Sequence, residues 1–264
     1  MKKYQVLEII YPIGLYYLIS GVVFFALNIL MGESQDIYMM KQLISSGATI
    51  PFLASLYKQD TYTEKVVYGK QKRNFGKNMV QIVLTAVSAG AFGVALNNFI
   101  AMTPLVEVSA GFQNANENFF AGGILLEILA SCVVVPVAEE LLFRGSILKR
   151  VSMMADEKVG ILCSALLFGV IHMNLVQFIY ATLLGALLAV IVVKTGRVSL
   201  AIIGHAFANL IAVLRAETGV LDFSYQPDLA GIGFSLLMVA VGSIALWLLI
   251  ARYAKIARSI NAVK

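Results

Sequence analysis

Several stretches of this chain stay apolar for long enough to cross a lipid bilayer, and that removes most folds otherwise open to 264 residues. A helix needs about 20 apolar residues to span the hydrocarbon core. Only helices and closed barrels satisfy their backbone polar groups there. No sustained period-2 alternation of barrel-strand length is present, which argues against strands. Eight helices are expected, at roughly 4–31, 37–57, 77–101, 122–149, 158–174, 176–194, 198–214 and 229–251. The fifth and sixth are separated only by the region around Met173–Gln177 and so form a tight hairpin. Composition agrees: 59% of residues are hydrophobic and 13% charged, against about 25% charged in a typical soluble domain. Mean hydropathy is +0.84. The reading is an all-α, polytopic membrane protein, one transmembrane domain over residues 1–264.

The net charge of +5 belongs to the membrane surface, not to a nucleic acid. With eight crossings and both termini in the cytoplasm, every one of the 20 Lys and Arg residues except Lys41 and Arg215 falls on the inner side. The outer connections carry acids such as Glu33, Glu107, Glu217 and Asp222. The first helix follows Lys2 and Lys3 without a small-x-small cleavage site and is expected to be retained. Residues 58–77 read as a solvated, basic orientation signal. Residues 102–121, with Asn114, Asn116, Asn118, Phe119 and Phe120, read as an interfacial turn. Cys132 and Cys163 lie in apolar segments and suggest neither a disulfide framework nor a nucleophile.

Against this background a few polar residues stand out. One ionised side chain at the centre of a membrane helix costs about 2.5–3.5 kcal/mol on insertion scales. The fourth helix nevertheless carries Glu139, Glu140 and Arg144. Glu140 and Arg144 are four apart, on one helix face, and a structural ion pair accounts for both. Glu139 points about 100° away and is left over. The chain's two histidines, His172 and His205, are both in apolar surroundings, and Asn209 shares a helix face with His205. Pro136, one turn before the glutamates, either kinks the helix to turn Glu139 toward a cavity or is a tolerated membrane proline. Gly169, Gly185 and Gly204 suit close helix packing.

Glu139-Glu140-x-x-x-Arg144, Phe168-x-x-x-His172 and His205-x-x-x-Asn209, in that order over about 139–209, resemble the CPBP family. That family includes type II CAAX prenyl endopeptidases and the bacterial Abi proteins linked to bacteriocin processing and self-immunity. The resemblance implies an intramembrane protease with a polar cavity open toward the cytosol, in a bacterial cytoplasmic membrane. Its partners would be membrane lipids and a membrane-associated or secreted peptide or protein substrate. The motif core would occupy about 122–214. The resemblance makes Glu139 the catalytic glutamate and His172 the residue that holds or activates water. It makes His205 and Asn209 the groups that polarise the scissile carbonyl, with Glu140, Arg144 and Phe168 as structural support. Zinc bound by Glu139, His172 and His205 stays open beside a metal-free, glutamate-activated water, although the HExxH spacing is absent. The alternative is a non-catalytic membrane regulator that binds a partner protein. A proton-coupled transporter would be expected to show internal repeats, and none is found.

Overall fold

In a computed structural model, which describes residues 3–69 and 79–262, helices form close to each of the eight expected positions, and no strand occurs among the described residues. We label the longer helices α1 (Lys3–Met31), α2 (Tyr38–Val66), α3 (Met79–Ala101), α4 (Ala110–Phe120), α5 (Ile124–Met154), α6 (Glu157–Val170), α7 (Leu175–Thr195), α8 (Val198–Thr218) and α9 (Leu229–Ala262). Five of them, α1, α3, α7, α8 and α9, are long and apolar enough to cross a membrane, and α4 with α5 makes a sixth if that bent pair is one span. The remaining two fall short for different reasons. Helix α2 carries Lys41, Lys58, Asp60, Glu64 and Lys65. Helix α6 has 14 residues, a rise of about 21 Å.

Two apolar clusters organise the bundle. One gathers Leu184, Leu188 and Ile191 of α7 with Leu200 and Ala201 of α8 and Leu249 of α9. The other gathers Leu53 of α2 and Tyr16 of α1 around Ala138, Leu142 and Ile147 of α5, with Phe168 of α6. Helix α5 is therefore central, packed by α1, α2, α6, α7 and α8. The outer faces of α1 and α9 stay apolar and exposed, as Phe25, Ile29, Leu30, Leu236 and Trp247 show. Lipid is the solvent that suits such faces.

The region 102–121 is more structured than a turn. Helix α4 follows Ser109, whose hydroxyl accepts from the Phe112 N–H, and meets α5 at an angle of 111°. Gly123, at φ +82°, occupies that corner, a conformation that costs glycine little. The sharp bend thus falls ahead of α5, not at Pro136.

The segment 58–77 needs correction. Helix α2 continues to Val66 instead of ending near residue 57, and one face of its last turns is docked while Lys58, Tyr62 and Lys65 stay exposed. Asp60 is buried and takes Arg150 Nε at 2.9 and 3.0 Å, with Ser146 Oγ donating as well. Arg150 also donates to Glu8 O and Tyr11 Oη, each at 2.7 Å. Lys149 donates to Thr61 Oγ1 at 2.6 Å. These bonds tie the start of α1, the end of α2 and the end of α5 into one clamp. The basic residues Lys70, Lys72, Arg73 and Lys77 lie outside the described residues.

The two cations assigned to the outer side are also tied down. Lys41 donates to Asn28 Oδ1 and Gly32 O at 2.7 and 2.6 Å. Arg215 donates to Asn98 Oδ1 and Ser224 Oγ at 2.8 Å and lies 4.1 Å from the Tyr225 ring centroid. Both cysteines are free thiols.

Removing one partner of a buried ion pair strands the other charge. Asp60→Ala is expected to lower stability by about 3 kcal/mol, read as an earlier thermal transition in detergent. Lys65→Ala, on an exposed position of the same helix end, should leave that transition in place.

Candidate active site

The site is built on the middle of α5, where the helix changes pitch twice. Ile128–Val134 and Leu141–Ile147 are π-helical, and Val135–Glu140 between them is α-helical. Wide turns of this kind are uncommon and recur at functional sites. Pro136 gives the first a local cause. Its ring would clash with the carbonyl one turn back in an α-helix, and the wider turn directly before it relieves that contact. Proline also lacks an N–H. The Val135 N–H goes to Ala130 O, so neither residue 135 nor residue 136 serves Ser131 O. That carbonyl is taken instead by Asn209 Nδ2 of α8 at 2.8 Å. A missing backbone donor on α5 is thus replaced by a side chain from another helix.

Glu140 is fully buried, and its Oε1 takes two donors. Arg144 Nη1 lies at 2.8 Å and His205 Nδ1 at 3.0 Å. Arg144, also fully buried, sends Nη2 to Gly185 O at 2.8 Å. Glycine is needed there, because a Cβ at 185 would come within 2.8 Å of Arg144 Nη2 and 2.9 Å of the Phe168 ring. The Phe168 ring is the floor of the cluster. Its centroid lies 4.5 Å from the Arg144 guanidinium carbon, and His172 and His205 meet it edge-on at 5.2 and 5.6 Å. A guanidinium over an aromatic face is favourable, more so when desolvated.

Glu139, 8% exposed, faces the other side of this cluster. Its Oε2 is 3.8 Å from His205 Nε2, and it lies within electrostatic reach of His172 as well. The carboxylate and both imidazoles therefore share one neighbourhood. His172 reaches it from the turn that follows α6, not from within a helix as the sequence suggested. Helix α6 stops at Val170, Met173 takes φ +59°, and Asn174 caps α7 by accepting from the Gln177 N–H. Inside this turn His172 Nδ1 donates to Phe168 O at 2.8 Å.

Both tautomers follow from these partners. A backbone carbonyl only accepts, and a carboxylate paired with Arg144 only accepts, so both histidines carry the proton on Nδ1. Each Nε2 then offers a lone pair. Among the described residues no group of three His, Cys, Asp or Glu side chains is gathered closely enough to hold a metal ion. Glu139, His172 and His205 do not meet as a zinc site in this conformation.

Helix α1 contributes residues that the motif pattern does not name. Tyr16, 8% exposed, packs with Ala138, Leu141 and Leu142 and is within electrostatic reach of Glu139. Tyr17 donates to Ile171 O, beside His172, at 3.3 Å. An open groove between α1 and α2, lined by Ser20, Phe24, Asn28, Tyr38, Gln42 and Ser45, comes within one helical turn of Tyr16. In the sequence Tyr16 and Tyr17 are an adjacent pair within the apolar run of α1.

Residues 121–211 match the family described as Type II CAAX prenyl endopeptidase Rce1-like. No curated protein and no solved structure matches the chain.

Glu140→Ala would leave Arg144 buried without its carboxylate and release His205 Nδ1. A loss of about 3–5 kcal/mol is expected, measured as reduced resistance to thermal or denaturant unfolding in detergent. Glu139→Gln makes no comparable break and should unfold like the wild type.

Proposed function

From the membership of residues 121–211 in the CPBP family of intramembrane proteases, we propose that this protein hydrolyses a peptide bond of a membrane-associated substrate by glutamate-activated water. The reading of eight crossings, with both termini and the mouth of the site on the cytoplasmic side, belongs to this proposal. A CAAX-type substrate follows from the matched family. The observation that carries the chemistry is a second carboxylate, outside the Glu140–Arg144 pair, 3.8 Å from His205 Nε2 and near His172.

Glu139 Oε2 and His205 Nε2 are 3.8 Å apart. A water about 2.8 Å from each closes a triangle on that base with two hydrogen bonds of normal length. Glu139 takes a proton from this water as the oxygen attacks the carbonyl, and later passes it to the leaving amine. His172, held by its Nδ1–H bond to Phe168 O, lines the site from the side of the α6–α7 turn. Asn209 keeps one N–H for Ser131 O and directs the other at the carbonyl oxygen. His205 Nε2 accepts the water's second O–H and so aligns the attacking lone pair with the carbonyl carbon. Glu140, fixed by Arg144, keeps the His205 ring in register throughout. Burial removes competing water and strengthens each of these contacts.

The test uses purified protein and a quenched-fluorescent peptide ending in farnesylated Cys-Ala-Ala-X, together with a terminal-peptide comparison of cells carrying wild type or Glu139→Gln. Glu139→Gln should abolish the cut, by about 10²-fold or more, with folding unchanged. Retained cleavage in this variant removes the glutamate mechanism. Exhaustive chelation should leave the wild-type rate within about twofold, because the donors present do not converge on a metal. A rate lost on chelation and restored by zinc would replace this mechanism with a metal one.

A further inference from the structure

The last carbonyls of a helix have no N–H of their own helix to serve them. Around the end of α6 three carbonyls are taken by side chains instead. The His172 N–H turns to Gly169 O at 3.2 Å, and the His172 ring takes Phe168 O through Nδ1 at 2.8 Å. Tyr17 of α1 donates to Ile171 O at 3.3 Å. Asn174 Nδ2 donates to His172 O at 3.1 Å.

Asn174 does more than close that carbonyl. Its Oδ1 accepts from the Gln177 N–H at 2.9 Å, which caps α7, and its second N–H goes to Gln177 Oε1. The amide has two donor hydrogens and one acceptor oxygen, and all three are used. One side chain therefore holds a carbonyl on one side of Met173 and an N–H on the other. Met173 is 87% exposed and takes φ +59°. A left-handed conformation is costly for a residue other than glycine and persists where its surroundings enforce it. The Met173 side chain packs against little, so that task falls to Asn174. Helix α4 backs the turn from outside: a Cβ on Gly111 would stand 3.3 Å from Asn174 Cβ.

The residue carried by this turn is His172. Its ring meets the Phe168 ring edge-on at 5.2 Å, and His205 meets the same ring at 5.6 Å. Phe168 is fixed inside α6, whereas His172 lies beyond the end of that helix. We propose that Asn174 is a positioning residue of the site, which keeps the His172 ring on Phe168 by donating to His172 O across the left-handed Met173. Asn174 touches no reacting atom and acts through His172. The effect expected on rate rests on the hydrolytic reading given above; the effect on the His172 ring does not.

The experiment combines steady-state kinetics of the full-length protein on the farnesylated Cys-Ala-Ala-X peptide with magnetic resonance of protein carrying isotope-labelled histidine. The chain has two histidines, so two sets of ring signals are expected, and His172→Gln assigns them. Asn174→Ser keeps an oxygen able to cap α7 but is too short to reach His172 O. Asn174→Asp keeps the shape and the cap acceptor and carries no N–H, so it repeats the test if Asn174→Ser folds poorly. Either variant should lower kcat by about 10- to 100-fold, with KM within about threefold of wild type, and shift the His172 ring signals while those of His205 stay. Asp156→Ala removes a cap of the same kind at the far end of α6, where Asp156 Oδ1 accepts from the Lys158 and Val159 N–H groups. It should leave kcat and both sets of ring signals as in the wild type. An equal kcat loss in Asp156→Ala, or unmoved His172 signals in both Asn174 variants, overturns the assignment. Wild-type kcat in both Asn174 variants, with Glu139→Gln inactive, also overturns it and leaves proteolysis standing. Failure of the wild type to cut the peptide overturns the CAAX reading; the His172 signals need no substrate and still decide for or against Asn174.

Discussion

The structure depends on a buried ion pair at the centre of α5. Glu140 and Arg144 are both fully enclosed, and a charge in that position is tolerated only when its partners are complete. Arg144 reaches Gly185 O and lies over the Phe168 ring, so the pair binds α5 to α6 and α7. Glu140 holds His205 and so binds α5 to α8. The same three contacts that settle the charge also set the ring planes of the site. Fold stability and site geometry are consequently not separable at Glu140, whereas Glu139 stands 3.8 Å from His205 on the other side of the cluster.

Around this pair the site is assembled from two helices and one turn. Helix α5 supplies the carboxylates, the α6–α7 turn supplies His172, and α8 supplies His205 and Asn209. The pitch changes in α5 are part of this arrangement. Proline at 136 opens the backbone ladder, and Asn209 closes it from another helix. The polar head that would face a substrate is therefore also a fastening of the bundle, which limits what its remaining N–H can do alone.

Much of the architecture was legible from the residues. The expected helices near 4–31, 176–194 and 198–214 match α1, α7 and α8 to within a few residues, because an apolar run bounded by polar residues leaves little choice of register. The ends that were misread are those decided by tertiary contacts. Helix α2 runs on to Val66 because Asp60, Thr61 and Glu64 find partners on α5. Helix α6 stops before His172 because Met173 adopts a left-handed turn that the flanking apolar residues do not announce. The π-helical stretches of α5 had one sequence cue, Pro136, which left a kink and a tolerated membrane proline both open and did not announce a wide turn.

The order of residues alone settled that this chain belongs in lipid, that Glu140 and Arg144 pair, and that Glu139 does not share their face. Those conclusions rest on helix geometry, which places residues four apart together whatever the rest of the molecule does. Tertiary structure decided which nitrogen of His205 is bonded and why Asn209 holds Ser131 O. Those two contacts join residues 65 and 78 positions apart. Their partners are selected by packing and by the need to satisfy buried polar groups, and no local spacing records either.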